Sequence, residues 1–256
     1  MGNARQRRIL EILLQKGEIQ LQQLKEIFPE VSLMTLRRDL TGLESEGYLI
    51  RTHGGAMSTR KIETAGGEED AYIRRAAENI EAKRLIAQNA VSLVEKGRSV
   101  YFDAGSTTMC LAGLLPDDNF SVVTSGVNIA LELLKKKSTS VVTLGGLVNR
   151  NTLSVSGPNA VSLVDNINID IAFMSASGFS LDSGLTVSNV YECELKKKVV
   201  ARSKKVVLLL DSSKINKNMT FTYAHLEDLD ILVAEKPLPE EIMAEAKKSG
   251  VRIIFE

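Results

Sequence analysis

Two sets of residues in this 256-residue chain have the types and spacing to do chemistry. The first is a series of five turns rich in glycine and hydroxyl groups: residues 103–108 (DAGSTT), 124–126 (TSG), 144–146 (LGG), 175–178 (SASG) and 211–214 (DSSK). A glycine-bearing turn that opens a helix aims its first backbone N–H groups at one spot, where the helix dipole adds partial positive charge, so such a turn attracts anions. In the first turn Ser106, Thr107 and Thr108 add hydroxyl donors beside Gly105, and Asp103 can accept from ligand hydroxyls. Lys214 supplies a countercharge. Thr124, Ser125, Gly145, Gly146, Gly178 and Asp211 complete the expected set, and the ligand chemistry it describes is a polyhydroxylated anion. None of the turns has the Gly-x-x-x-x-Gly-Lys-Ser/Thr spacing of a nucleotide loop or the Gly-x-Gly-x-x-Gly of a dinucleotide site, which argues against nucleoside triphosphates and NAD. No cofactor is expected.

The second set is basic. A helical pattern begins after Ser32, whose hydroxyl suits a helix N-cap, and runs to Glu46 before Gly47. At roughly 100° per residue Leu33, Leu36, Leu40 and Leu43 share one stripe that must pack inward. Met34, Thr35, Arg38, Thr41 and Gly42 then point away, with Arg37 on the flank and Gly42 leaving room for another surface. That outward face fits a DNA major groove, where guanidinium groups read base edges while the Ser32 and Thr35 hydroxyls and the helix N-terminus meet phosphate. Asp39 turns away from it and is expected to hold an arginine or a cap.

The elements around these residues follow from periodicity. Helical patterns cover Ala4 to Lys16, capped by Asn3 and stopped by Gly17, and Leu21 to Phe28 before Pro29. Residues 48–51 alternate like a strand and run into 52–56 (THGGA), which reads as a hairpin wing with glycines at its tip and with Arg51 and His53 available to DNA backbone or minor groove. A polar stretch with Gly66 and Gly67 follows and reads as a linker. Beyond it comes a helix at Ala82 to Glu95. Seven β-branched runs then begin at Ser99, Ser121, Ser140, Ile169, Lys205, Ile231 and Val251, alternating with helices at 109–115, 127–137, 159–164, 190–202 and 239–249. Near-continuous apolar strands with helices between them predict an α/β fold with a mainly parallel sheet covered on both faces. Ligands then belong at the carboxyl ends of the strands, where the five turns fall.

Composition bounds the rest. Lys+Arg and Asp+Glu balance at 32 each, but residues 1–62 carry ten basic against seven acidic side chains, leaving the remainder net negative by the same three charges. That asymmetry is too small to identify a partner unless the charges share a face. No apolar run reaches membrane-spanning length and the N-terminus lacks a signal-peptide core, so a cytoplasmic protein without a membrane partner is expected. Cys110 and Cys193, far apart and outside any Cys-x-x-Cys or His-rich neighbourhood, read as packing residues and not as a disulfide or metal site.

Residues 8–56, above all VSLMTLRRDLTGLESEGYLIRTHGGA, resemble the helix-turn-helix signature of the DeoR family of regulators, and DAGSTT, LGG, GLTVSNVYECELKKK and DSSK resemble its effector domain. The likeness implies that the helix bearing Arg37, Arg38 and Asp39 reads DNA, with Thr35, Arg37 and Arg38 as chief contacts. It also implies that the second domain is similar in fold to ribose-5-phosphate isomerase and binds a phosphorylated sugar or related metabolite without turning it over. Where the family often has Thr-Asn after its second strand, this chain has Thr124 and Ser125. The expected organisation is a winged helix-turn-helix domain over 1–57, a linker over 58–71 and an effector domain over 72–256, acting as a homo-oligomer on a double-stranded DNA operator. Two rivals are an isomerase using Asp103, Glu192, Glu194 and Lys214, and a protein-interaction adaptor.

Overall fold

Leucines and isoleucines at helical spacing gather the N-terminal elements around one core. The structure, a computed structural model, describes residues 4–16, 18–45, 48–52, 54–58 and 71–255, and its contacts divide the chain into Met1–Ile80 and Glu81–Glu256. The Asn3 cap, Gly17, Glu46, Gly47, His53 and residues 59–70 of the expected linker lie outside the described residues.

The first unit runs α1 (Ala4–Lys16), β1 (Glu18–Gln20), α2 (Leu21–Ile27), α3 (Leu33–Ser45), β2 (Leu49–Arg51) and β3 (Gly55–Ser58), with α4 (Ala71–Ala77) in the same unit. Ile9, Ile12 and Leu13 of α1, Leu24 of α2 and Leu36, Leu40 and Leu43 of α3 are buried together with Ile19, Leu49 and Ala56 of the strands. Strands β2 and β3 form an antiparallel hairpin, and β1 joins it to give the order β1-β3-β2. This is a winged helix-turn-helix. Strand β1 carries a single inward residue, Ile19, too little to register as an alternating pattern.

Two expectations for α3 are corrected. Leu33 is 40% exposed, because the core beneath α3 starts one turn later, at Leu36. Gly42 does not face outward into open space: a Cβ there would lie 3.2 Å from Nε2 of Gln6, so its missing side chain makes room for α1. Asp39 is buried and accepts a 2.5 Å hydrogen bond from Nε of Arg5, which raises the guanidinium pKa further above its ordinary value. It therefore holds an arginine, fastening α3 to α1.

The second unit opens one residue into α5 (Ile80–Val91) and builds a seven-stranded sheet from β4 (Ser99–Phe102), β5 (Ser121–Thr124), β6 (Ser140–Thr143), β9 (Ile171–Met174), β12 (Val206–Leu209), β14 (Ile231–Val233) and β15 (Arg252–Ile254). All its pairs are parallel, in the order β15-β14-β12-β9-β4-β5-β6. Helices α6 (Ser106–Leu114), α7 (Val127–Leu133), α8 (Pro158–Val164), α9 (Val190–Arg202) and α10 (Glu240–Lys248) lie between strands in the chain. Alternate residues of one strand feed two cores: Val100 and Phe102 pack with Ile86, Leu111 and Ile129, whereas Tyr101 packs with Val164, Leu195 and Val199.

Three differences from the expected elements matter. Helix α6 begins at Ser106 and not at Met109, so three residues expected in a loop form its first turn. Helix α7 stops at Leu133, since Lys135, Lys136 and Lys137 offer nothing apolar to pack. Antiparallel ribbons are added: β7 (Leu147–Asn149) with β8 (Ser154–Ser156), and β10 (Gly178–Ser180) with β11 (Gly184–Val187) and β13 (Phe221–Ala224).

Replacing Asp39 by Ala should lower the stability of the N-terminal unit by about 1.5–3 kcal/mol, the range for a hydrogen bond to a charged group. Urea unfolding of the full chain checks this, and a double variant that also removes the Arg5 side chain should lose less than the two single losses combined.

Candidate nucleic-acid interface and ligand site

Helix α3 starts on a side-chain cap. Oγ of Ser32 accepts from the backbone N–H of Thr35 at 3.1 Å and lies 2.9 Å from the Thr35 hydroxyl, while the Ser32 carbonyl accepts from Leu36 N–H at 3.0 Å. Arg37 and Arg38 project into solvent, as does Thr41, whose hydroxyl donates back to the Arg37 carbonyl at 2.9 Å. Met34 is 78% exposed beside them, an aliphatic side chain on a face otherwise built from donors. Arg51 of the wing is engaged: its Nε donates to Oε2 of Glu44 at 2.7 Å and its backbone N–H to Oε1 at 2.9 Å, which ties β2 to α3. The face can therefore present two free-reaching guanidinium groups and one apolar contact on a helix held at both ends.

In the second unit the five turns follow five consecutive strands, β12, β9, β4, β5 and β6, and because these run parallel the turns share one edge of the sheet. The β4 turn is the most elaborated. Ala104 N–H donates to Oγ of Ser125 at 3.0 Å, Thr124 Oγ1 donates to the Phe102 carbonyl at 2.7 Å, and Thr108 Oγ1 donates to the Gly105 carbonyl at 2.9 Å. Thr107, Thr108, Thr124 and Ser125 are buried, and Ser106 is half-buried at the first position of α6, where the N–H groups of a helix have no intrahelical partner. Gly105 is required by packing, since a Cβ would sit 2.6 Å from Oγ of Ser175.

The other expected residues divide. Gly145 and Gly146 lie exposed between β6 and β7. Gly178 lies within β10, where a Cβ would come within 2.1 Å of the Lys217 carbonyl oxygen, so backbone contact accounts for the glycine. Asp211 is buried and caps the short helical turn Ser212–Lys214 by accepting from Ser213 N–H at 3.2 Å. Lys214 is half-buried on that turn and forms no ion pair with any described residue.

Asp103 has a different role from the one expected. Its Oδ2 accepts from Ser175 N–H at 2.9 Å, from Ser175 Oγ at 2.7 Å and from Nζ of Lys196 in a short contact, and both charged side chains are 2% exposed. Nζ of Lys196 also donates to the Ser175 carbonyl at 3.0 Å and stands 5.3 Å from the Tyr223 ring centre. The Tyr223 hydroxyl donates to that same carbonyl at 3.0 Å. Beside this group the buried Tyr101 hydroxyl has no hydrogen-bond partner among the described residues. Burial, and then the Asp103 charge, push the pKa of both phenols well above the ordinary value, so each remains a neutral donor; Ser125 pulls Tyr101 the other way without meeting hydrogen-bond geometry. Sequence reasoning does not find Lys196, because the run 196–198 (KKK) reads as a solvated face, nor Tyr223, which nothing local distinguishes from a packing aromatic. The helical phase held the signal, for Lys196 falls three residues after buried Cys193 and three before buried Val199.

Lys196→Met leaves the Asp103 carboxylate buried and unpaired, and should cost about 3–5 kcal/mol in thermal or urea unfolding. Adding Asp103→Asn should restore part of that loss.

With this geometry in view, comparison with known proteins is direct. Residues 5–61 match the family described as DeoR-like helix-turn-helix domain, and residues 78–236 match the DeoR C terminal sensor domain. The chain is 34% identical to the HTH-type transcriptional regulator GolR of Listeria innocua, over 97% of this chain and 96% of that one. It is 28% identical to a putative aga operon transcriptional repressor of Escherichia coli O157:H7, over 98% and 93%. Among solved structures, the ribose 5-phosphate isomerase of Methanocaldococcus jannaschii is similar over 54% of this chain and 55% of that one, at 20% identity and a TM-score of 0.39. No helix among the described residues is long and apolar enough to cross a membrane. A winged helix-turn-helix with an exposed arginine pair, followed by a parallel α/β unit and matched to its relatives almost end to end, belongs to the DeoR family of DNA-binding transcriptional regulators.

Proposed function

We propose that the protein is a cytoplasmic repressor of carbohydrate-metabolism genes whose affinity for its operator is set by a phosphorylated sugar. The observation that carries this reading is the outward Arg37 and Arg38 pair on a capped helix, in one chain with five hydroxyl- and glycine-rich turns on a single sheet edge. The sign of regulation is taken from the relative whose name is an operon repressor. Residues 1–57 bind the operator, 58–71 connect, and 72–256 sense the ligand.

On the DNA side Arg37 and Arg38 reach base edges, and Ser32, Thr35 and Thr41 approach phosphate. Arg51, held by Glu44, sets the wing against α3, and His53 meets the DNA backbone. On the ligand side the first turn of α6, with Gly105, Ser106, Thr107 and Thr108, receives the phosphate. Lys214 adds countercharge, and the edge formed by Thr124, Ser125, Gly145, Gly146, Gly178 and Asp211 surrounds the sugar. Asp103 supports this site from behind through Lys196 and Ser175. A homo-oligomer then reads half-sites about one helical turn, or ~34 Å, apart. A sugar phosphate that favours one arrangement of the subunits changes operator affinity.

The test is fluorescence anisotropy on a double-stranded fragment from upstream of the protein's own gene, with and without a panel of pentose and hexose monophosphates. At least one should shift the affinity; if saturating concentrations of all leave it unchanged, or if one is turned over, the reading fails. Arg38→Ala should cost on the order of 1–3 kcal/mol of specific binding while leaving the sugar-phosphate thermal shift intact. Ser106→Ala and Lys214→Ala should do the opposite. Met34 predicts a finer effect: replacing contacted thymines by uracil should weaken the wild type but not Met34→Ala, because the lost group is the methyl that an apolar side chain touches.

A further inference from the structure

Strand β6 ends the seven-stranded sheet, and no described strand pairs with its outer side. Sheet edges are normally blunted by charge, proline or a bulge, since their free N–H and C=O groups invite another strand. The opposite edge strand, β15, carries the exposed charge of Arg252. Strand β6 is Ser-Val-Val-Thr, with no charge, no proline and a regular register along its whole length. The N–H groups of Ser140 and Leu144 donate toward β5, to Phe120 and Thr124, so by the two-residue alternation of a strand those of Val141 and Thr143 face outward.

Large apolar side chains collect around the same edge. Leu131 of α7 and Leu134 just past its end are 63% and 66% exposed, Leu147 and Val148 of β7 are 59% and 61%, and Val142 of β6 is 47%. Leu131, Leu134 and Val148 line one open cleft that has no charged residue in its wall. Such a patch is larger and less polar than singly scattered surface leucines.

We propose that this edge is the interface between two copies of the chain, joined across β6 by a two-fold axis. The surface identifies its occupant. An uncharged wall offers nothing to an acidic or basic partner, whereas an identical Ser-Val-Val-Thr strand, laid antiparallel by the axis, supplies complementary N–H and C=O groups and brings its own leucines to the cleft. Two copies contribute the equivalent of about six fully exposed aliphatic side chains, enough for the apolar centre of an interface of roughly 800 Å² per partner. The proposal rests on the family's DNA-reading role only in that a palindromic operator calls for a two-fold dimer.

Light scattering coupled to size-exclusion chromatography of the full chain tests it. The wild type should be oligomeric at micromolar concentration. Leu134→Glu should reduce its mass with an unchanged circular-dichroism melt, because that side chain already faces solvent. Thr143→Pro should do the same by deleting an outward N–H while sparing the bonds to β5. A monomeric wild type, or folded variants of both kinds that keep the wild-type mass, overturns the interface; should Leu134→Glu fail to fold, Thr143→Pro decides. Failure of the regulator reading is separate, since it appears as wild-type protein that does not bind operator DNA whatever its mass.

Discussion

The ion pair between Asp103 and Lys196 is the contact on which the carboxyl edge of the second unit's sheet depends. Each charge is nearly without solvent, and neither would be tolerable there alone. The pair is offset by a closed set of donors and acceptors: Ser175 offers its amide and hydroxyl to the carboxylate and its carbonyl to the ammonium, and Tyr223 shares that carbonyl. Three pieces of chain distant in sequence, the turns after β4 and β9 and the middle of α9, are thereby fixed at one point. Ser106 to Thr108 open α6 directly beyond that point, so their first-turn N–H groups are held where a fixed geometry matters. The arrangement explains why a buried lysine belongs in a helix whose neighbour Lys197 faces solvent and whose Lys198 pairs with Asp165 near the surface.

The N-terminal unit solves a similar problem with cheaper means. A recognition helix must show its charged face to solvent, so it can be gripped only from behind. Leu36, Leu40 and Leu43 provide that grip without direction, and Asp39 adds direction by pairing with Arg5 of α1. At the far end Glu44 binds both the guanidinium and the backbone N–H of Arg51. The acidic residues of α3 are therefore structural, and removing either would disturb the angle at which Arg37 and Arg38 are presented, not their charge.

Much of this was legible in the residues. All seven strands of the parallel sheet are readable in the sequence, two of them to the residue, because each is a β-branched or apolar run bounded by polar turns, and the inner ones are buried on both faces. The five turns could be placed on one edge for the same reason. What escaped was short or depended on distant contacts. Strand β1 has one inward residue, and the ribbons β7 with β8 and β10 with β11 are too brief for an alternating pattern to rise above their glycines. Leu33 followed the stripe of α3 but had no partner beneath it. Asp103 looked like a ligand acceptor because nothing local to it shows that Lys196, 93 residues later, turns inward.

That misassignment bears on how the ligand edge works. An acceptor for sugar hydroxyls must exchange water for ligand, whereas Asp103 is already saturated on one oxygen by three donors and shielded from solvent. In the regulator proposed above, specificity for the polyhydroxylated part of the ligand then falls to groups further out along the edge, and the inner pair keeps the turn that opens α6 from relaxing. Pre-organisation of this kind has a thermodynamic consequence for the proposed regulator. A rigid inner site contributes little free-energy difference between two quaternary arrangements, and a ligand shifts an equilibrium only by its differential affinity for the two states. On that proposal the coupling to DNA arises at the outer turns, where Gly145 is exposed with open space beside its Cα and Lys214 forms no ion pair with any described residue.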